Sequence, residues 1–461
     1  MNIRKGDTLE LRIEKMVYGG RALAYHNGMA IFVDKSVPGE RVTARVIRVK
    51  RDFAEARLLE VLDVSPHRAT APCAYNDYCG GCNWQFIDYE KQLEYKHAFF
   101  EDSLYHIGKV ADVSIHPVLP SPQILGYRNK MEFSFSDRRW LLPTDEGKND
   151  RHIALGLHVP GTFDKIIDLE GCLLQKERGN EIFREVKRYV NGSELPAYGL
   201  KSHQGFWRYL MLRHSHYFDE WMVNLVTSEE RGAALEPLIP ILRDRFGEIA
   251  SLVNNINTRR GGTAVGEWER ILAGRGNIRD KIGEFTFEIS AHSFFQTNTA
   301  MAEKLYRRVK DFASLTGKET VFDLYCGIGT VSLFLASMAS KIIGMDISDS
   351  ATGDANRNCQ SNGIDNCEFL CGDVKVLLSQ IGIHPDLVIT DPPRAGMHKK
   401  VIDQINQLLP DKIIYISCNP STLARDVALL KERYRVEEVQ PLDLFPNTHH
   451  VESVARLERS S

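Results

Sequence analysis

Long apolar runs are missing from this 461-residue chain. None approaches the roughly 18 consecutive apolar residues of a membrane-spanning helix. The opening MNIRKGDTLELRI lacks the apolar centre of a secretory signal, so a cytoplasmic location is expected. Repeats and low-complexity tracts are absent as well, and with 43% hydrophobic and 26% charged residues the default is two or three folded domains, not disorder. Cysteine is sparse, nine in all. An odd number spread over a long chain without a signal argues against a disulfide framework and for thiols, metal ligation or catalysis. Excess charge is lacking too: the net charge is -3, which by itself points to no partner. Only residues 1–68 stand out, with 13 Lys/Arg against 9 Asp/Glu, a local basic excess that suits a polyanion or simply a solvated sheet face.

What is present falls into three stretches. From Asp7 to Val61, short alternating runs (TLELRIEKM, AIFVD, RVTARVIRV, EARLLEVL) are broken by YGGRALAYHNG and KSVPGE. That rhythm predicts a small antiparallel β-barrel, and its Arg/Lys-bearing strand suits an oligonucleotide-binding barrel over residues 1–64. Residues 65–283 mix strand-like KMEFSF, HIALGLHV and EWMVNLV with helical YEKQLEYKHAFFEDSLYHIG and KERGNEIFREVKRYV, an α+β pattern; the helix near 90–108 is a candidate to pack against the last domain. Over 284–461, apolar runs ending in polar loops alternate with helical patterns, the βαβ rhythm of a doubly wound parallel sheet.

In such a sheet, ligands bind beyond the carboxyl ends of the strands. Asp323 ends the first strand, before YCGIGTVSL, where Gly327 and Gly329 let the backbone approach a ligand. Asp346 ends the second, placed to accept ribose hydroxyls. Asp373 in CGDV and Asp391 in TDPPRAG supply two more acids. The Gly-rich turn lacks the full G-x-G-x-x-G, and the four loops together fit S-adenosylmethionine better than NAD.

Two cysteine settings differ. APCAYNDYCGGCNWQF places Cys73, Cys79 and Cys82 on one loop, with Gly80 and Gly81 letting it fold around a metal. A fourth ligand is needed, and Cys172 in LEGCLLQ is the distant candidate, because the remaining cysteines lie in or near the last sheet. Four thiolates suit zinc or an iron-sulfur cluster equally. Cys418, in YISCNPSTL, instead ends a strand beside the crevice, where a thiol can be exposed and activated. Downstream, Glu452 follows two histidines in NTHHVESV.

In this order, SFFQTN, DLYCGIGTVSL, DPPRAG, YISCNP and HHVES, with GYRNKMEFSF from Gly126, resemble the RNA 5-methyluridine methyltransferases over essentially the whole chain. The resemblance implies an α/β fold: a C-terminal Rossmann-like class I methyltransferase domain, an N-terminal OB-like TRAM barrel and a central α+β domain. It implies S-adenosylmethionine held by Gln296, Tyr325, Thr330, Asp346, Asp373 and Asp391, Cys418 as nucleophile and Glu452 as general base. It turns the Cys73, Cys79, Cys82 and Cys172 set toward a 4Fe-4S cluster. Two positions depart from the family: the ribose acid is commonly Glu, and Asn is frequent where Thr330 stands.

The chemistry needs such a pair, because carbon 5 of uracil is too weak a nucleophile unaided; a thiolate adding at carbon 6 activates it, and a base later removes the carbon 5 proton. Phe294 is a candidate stacking platform for a flipped base or a core aromatic, and Arg394 a contact for phosphate or carboxylate. The expected partner is RNA, ribosomal RNA of the large subunit first and transfer RNA second, with no obligate protein partner inferred. Cytosine carbon 5 methylation, and a non-catalytic iron-sulfur RNA-binding protein, are the rival readings.

Overall fold

The computed structural model describes residues 3–145 and 152–460. Near the N-terminus, six strands form one sheet in the order Thr8–Arg12, Arg41–Val49, Phe53–Asp63, Met29–Asp34, Arg21–His26, Lys15–Val17. Alternation does the work: in Arg41–Val49, Val42, Ala44 and Val46 are buried and Arg41, Arg45 and Arg48 are exposed. These small apolar residues meet Ala24, Ile31, Val33 and Ala54 in a core that also takes in Trp84 and Phe99 from outside the sheet. One expectation is corrected here. YGGRALAYHNG is not a break, since Arg21–His26 is a strand paired on both sides.

The central unit is an eight-stranded sheet whose middle strands, Trp207–His214 and Trp221–Thr227, are buried along their whole length. The helix Glu177–Asn191 lays Ile182, Phe183, Val186 and Val190 against it, the 3.6-residue stripe that its sequence spells. The expected boundary at 283/284 falls inside the turn of a hairpin, because Asn277–Ile282 pairs fully with Phe285–Ser290. Paired strands cannot belong to separate units, so the hairpin goes whole with the C-terminal core, where Ile278, Ile282, Phe287 and Ile289 are buried.

The C-terminal sheet runs Cys367–Cys371, Lys341–Asp346, Thr320–Leu324, Leu387–Thr390, Lys412–Ser417, Glu452–Arg459, Tyr434–Leu442, Ser114–Ile115. The first five strands are parallel. Chain order reverses at Thr320–Leu324, which has its crevice beyond Leu324. Glu452–Arg459 is antiparallel to both neighbours. The helix Tyr89–Ser103 and the short edge strand Ser114–Ile115 join this last unit, with Phe100 and Leu104 in its core. Among the described residues no helix is long and apolar enough to cross a membrane.

Candidate active site and four-cysteine pocket

The strand register brings the two reactive side chains together. Ser417 pairs with Ser453 across antiparallel strands, so Cys418 and Glu452 lie just beyond the last pair of that ladder, and the field of Glu452 is felt at Cys418. Cys418 also precedes the helix Pro420–Leu430, whose positive end favours a thiolate. Asn419 caps that helix through Ser421 N–H (3.0 Å), and its amide donates to the Arg394 carbonyl at 3.1 Å. The SCNP turn therefore also fixes the DPPRAG loop, and the Arg394 side chain comes within electrostatic reach of both Cys418 and Glu452.

Charges in this corner oppose one another. Burial, then Glu452 and Asp391, push the Cys418 thiol up to about 12, while Arg394 pulls it down. Glu452 is buried, and burial followed by Asp391 lifts its carboxyl well above the usual carboxylate range, again against Arg394. Asp391 is pushed up to about 7 by burial and by Asp323. Asp323, held by the Ser332 hydroxyl at 2.6 Å, is likewise pushed up to about 7 by burial. Such crowding of acids that resist ionisation marks a site prepared for a cation or for proton transfer.

Of the residues expected to hold a nucleoside cofactor, Asp346 is fixed by Gly327 N–H (3.0 Å) and Ser348 N–H (2.8 Å). Tyr325 sits at φ +64°, a strained conformation for a tyrosine, at the end of the first strand. Thr330 opens the following helix and donates to Tyr306 at 3.2 Å. Asp373 caps Val374–Gln380 and pairs with Lys375 at 2.8 Å. Gln296 is buried, and its main chain is held by the Asn129 amide at 2.8 Å; Asn129 belongs to the GYRNK stretch, which thus secures the FFQTN turn. Phe294 is 65% exposed, so it is no core aromatic.

The barrel reaches this centre, which no motif signalled. Tyr18 donates to the Cys418 carbonyl oxygen at 3.5 Å and stands edge-on to His449. The His449 and His450 rings lie with centroids 4.1 Å apart, tilted 42° to each other. Burial and the cations Lys96 and Arg394 hold His449 down to about 4. Only the doubled histidine in NTHHVES hinted at this pair.

Cys73, Cys79, Cys82 and Cys172 line one pocket with Tyr75, Gln85, Leu157, Leu169 and Leu174. All four are free thiols, and the field of each of the other three is felt at Cys172. Gly81 N–H points at the Cys79 sulfur at 3.3 Å. Among the described residues no three or more His, Cys, Asp or Glu side chains come together closely enough to hold a metal ion; the four thiols line a pocket shared with Leu157, Leu169 and Leu174. Four thiols around a cavity, with a backbone N–H turned to one sulfur, are a donor set of the kind that thiolate-held metal groups use.

Comparison with known proteins follows the same lines. Residues 262–373 and 378–460 match the family described as tRNA (uracil-5-)-methyltransferase, and residues 4–59 match the TRAM domain. An RNA methyltransferase of Chlorobaculum tepidum that is uncharacterised is 41% identical over 99% of this chain and 97% of its own length. A second, from Porphyromonas gingivalis, is 41% identical over 98% of this chain and all of its own. Among solved structures, the tRNA (uracil-54, C5)-methyltransferase of Pyrococcus abyssi in complex with S-adenosyl-L-homocysteine aligns at TM-score 0.77 and 29% identity, covering 97% of this chain and 100% of that one.

Proposed function

The chain belongs to the S-adenosylmethionine-dependent RNA methyltransferases of the tRNA (uracil-5-)-methyltransferase family, and from that premise we propose that it methylates carbon 5 of a uridine in RNA by covalent catalysis at Cys418. One observation supports the reading above all: Cys418 and Glu452 both adjoin the Ser417–Ser453 pair, close enough for the Glu452 carboxyl to act on the Cys418 thiol.

In this reading Gln296, Tyr325, Thr330, Asp346, Asp373 and Asp391 would hold S-adenosylmethionine, which would supply an electrophilic methyl group to carbon 5 and leave as S-adenosylhomocysteine. Cys418 releases its proton to solvent, aided by Arg394 and the helix terminus, and its sulfur bonds to carbon 6 of the ring. That addition places the electron pair on carbon 5. After methylation, the Glu452 carboxylate takes the carbon 5 proton, the ring double bond re-forms and the carbon–sulfur bond breaks. Burial, which raises the Glu452 carboxyl, makes its carboxylate, once formed, a stronger base than an exposed one. The exposed ring of Phe294 supports a stacking role for the flipped base.

The four cysteines are proposed to hold a 4Fe-4S cluster. All four ligands come from the protein, so its part is structural or RNA-positioning. A cytoplasmic, thiol-preserving location is proposed with it. Large-subunit rRNA is the first target and tRNA the second. The tRNA alternative has its own support, since the Pyrococcus abyssi enzyme shares the architecture from end to end, so the barrel does not distinguish the two RNAs.

The test offers labelled S-adenosylmethionine with unmodified large-subunit rRNA and unmodified tRNA separately, and maps the product nucleoside by mass spectrometry. 5-Methyluridine in one RNA is expected, abolished by Cys418→Ala. Glu452→Gln should accumulate a protein–RNA adduct stable to denaturing gels. 5-Methylcytidine, or methylation that survives Cys418→Ala, overturns the mechanism, and label in neither RNA revives a non-catalytic role.

A further inference from the structure

Asn83 immediately follows Cys82, yet it faces away from the cysteine pocket and grips the segment that carries the base. Its backbone N–H donates to the Asn447 carbonyl at 3.2 Å. The side-chain oxygen accepts from His449 N–H at 3.2 Å, and the side-chain nitrogen lies 2.7 Å from His449 Nδ1. Trp84 N–H donates to the same Asn447 carbonyl at 3.0 Å. Four hydrogen bonds thus tie two consecutive residues of the cysteine loop to a segment ending three residues before Glu452.

These contacts determine which nitrogen of His449 carries the proton. A backbone N–H can only donate, so the atom of Asn83 that meets His449 N–H is the amide oxygen. The amide NH2 is then the group facing Nδ1, and an NH2 can only donate. Nδ1 must be the bare acceptor, which leaves the proton on Nε2. Gly20 of the barrel covers this bond: at φ +84°, a Cβ there would lie 2.6 Å from Asn83 Nδ2 and 2.9 Å from His449 Nδ1. Only glycine can lie against the pair. Nε2–H itself has no hydrogen-bond partner among the described residues, and it is not among the polar atoms sealed from solvent. Tyr18, whose hydroxyl touches the Cys418 carbonyl, stands beside the ring.

We propose that His449 is a substrate-positioning residue whose Nε2–H donates to an acceptor oxygen of the target nucleotide, and that Asn83 fixes this tautomer, linking the cysteine loop to substrate placement. The proposal rests on the RNA uridine reading above. A uracil carbonyl and a phosphate oxygen offer the same acceptor chemistry. The neutral ring is consistent with its buried setting beside Lys96 and Arg394.

The test reads the tautomer directly, without RNA. Full-length protein purified anaerobically with 15N-labelled histidine gives ring nitrogen shifts, with His449 assigned by its loss in His449→Gln. A protonated Nε2 and a bare Nδ1 are expected in the parent. Asn83→Asp presents only acceptors to Nδ1 and should move the proton there. With whichever RNA accepts methyl, Asn83→Asp should raise KM for RNA about tenfold, the loss of one hydrogen bond, with a smaller change in kcat. His449→Gln, which keeps a donor near the Nε2 position, should retain most affinity, whereas His449→Phe should match Asn83→Asp. Should Asn83→Asp fail to fold, the His449 pair alone decides the substrate contact. A proton on Nδ1 in the parent overturns the tautomer argument, and equal KM in His449→Gln and His449→Phe overturns the contact. A parent that methylates neither RNA overturns the uridine reading itself and the contact with it; the ring shifts tell that failure apart.

Discussion

Cys418 lies between two carboxyl groups, Asp391 and Glu452, and one guanidinium, Arg394, so the fraction present as thiolate follows the difference between their opposing fields. Arg394 lowers the thiol, and removing it leaves burial and the acids unopposed. The reactive form is the deprotonated one, so a higher pKa moves the rising limb of kcat/KM to higher pH. Arg394→Gln should therefore shift that limb alkaline and lower activity at neutral pH about 10- to 100-fold, with Arg394→Lys recovering part; a pH–rate profile with an unmoved limb would refute the role. At this scale the sequence was legible where chemistry is written locally, as in SCNP and HHVES. It was silent about Tyr18, Asn83 and His449, because their contacts join positions 366 and 400 residues apart. No local pattern encodes such a meeting.

Among elements, the loop from Cys73 to Cys82 closes on Cys172, and together they wall one pocket. Anaerobically purified protein should contain about four irons and four sulfides per chain by chemical analysis. Cys172→Ala should lose the iron and, through Asn83 and Trp84, loosen the segment before Glu452; one zinc and no iron in the parent would sink the cluster. The alternating runs and βαβ units were readable because burial imposes their period on the residues themselves. Two features were not. Arg21–His26 is bracketed by Gly19–Gly20 and Asn27–Gly28, which read as turn signals and are turns, but six residues between two turns suffice for a strand. The hairpin 277–290 hid because Gly283 looks like a linker and is a tight turn at φ +59°.

Across the whole molecule, the helix Tyr89–Ser103 is the part that barrel and catalytic unit share. Its Phe99 packs in the barrel core while Phe100 packs in the catalytic one. Lys96, fully buried between them, pairs with fully buried Asp443 at 2.6 Å. Breaking such a pair strands a charge, at a cost of about 3–5 kcal/mol. Lys96→Ala should lose about that much stability in denaturant titrations, and Lys96→Met with Asp443→Leu should recover most of it; an unchanged midpoint in the single variant contradicts the account.

The position of the strand Glu452–Arg459, inserted between Lys412–Ser417 and Tyr434–Leu442, has a last consequence. The base is not mounted on a loop that can swing aside while the sheet stays whole. Glu452 is the first residue of that strand and pairs with Leu442, and the next residue, Ser453, is held on both sides by Ser417 and Pro441. Moving the backbone at Glu452 therefore begins by breaking pairs at this end of the sheet, so the corner around Cys418 and the end of the sheet loosen together.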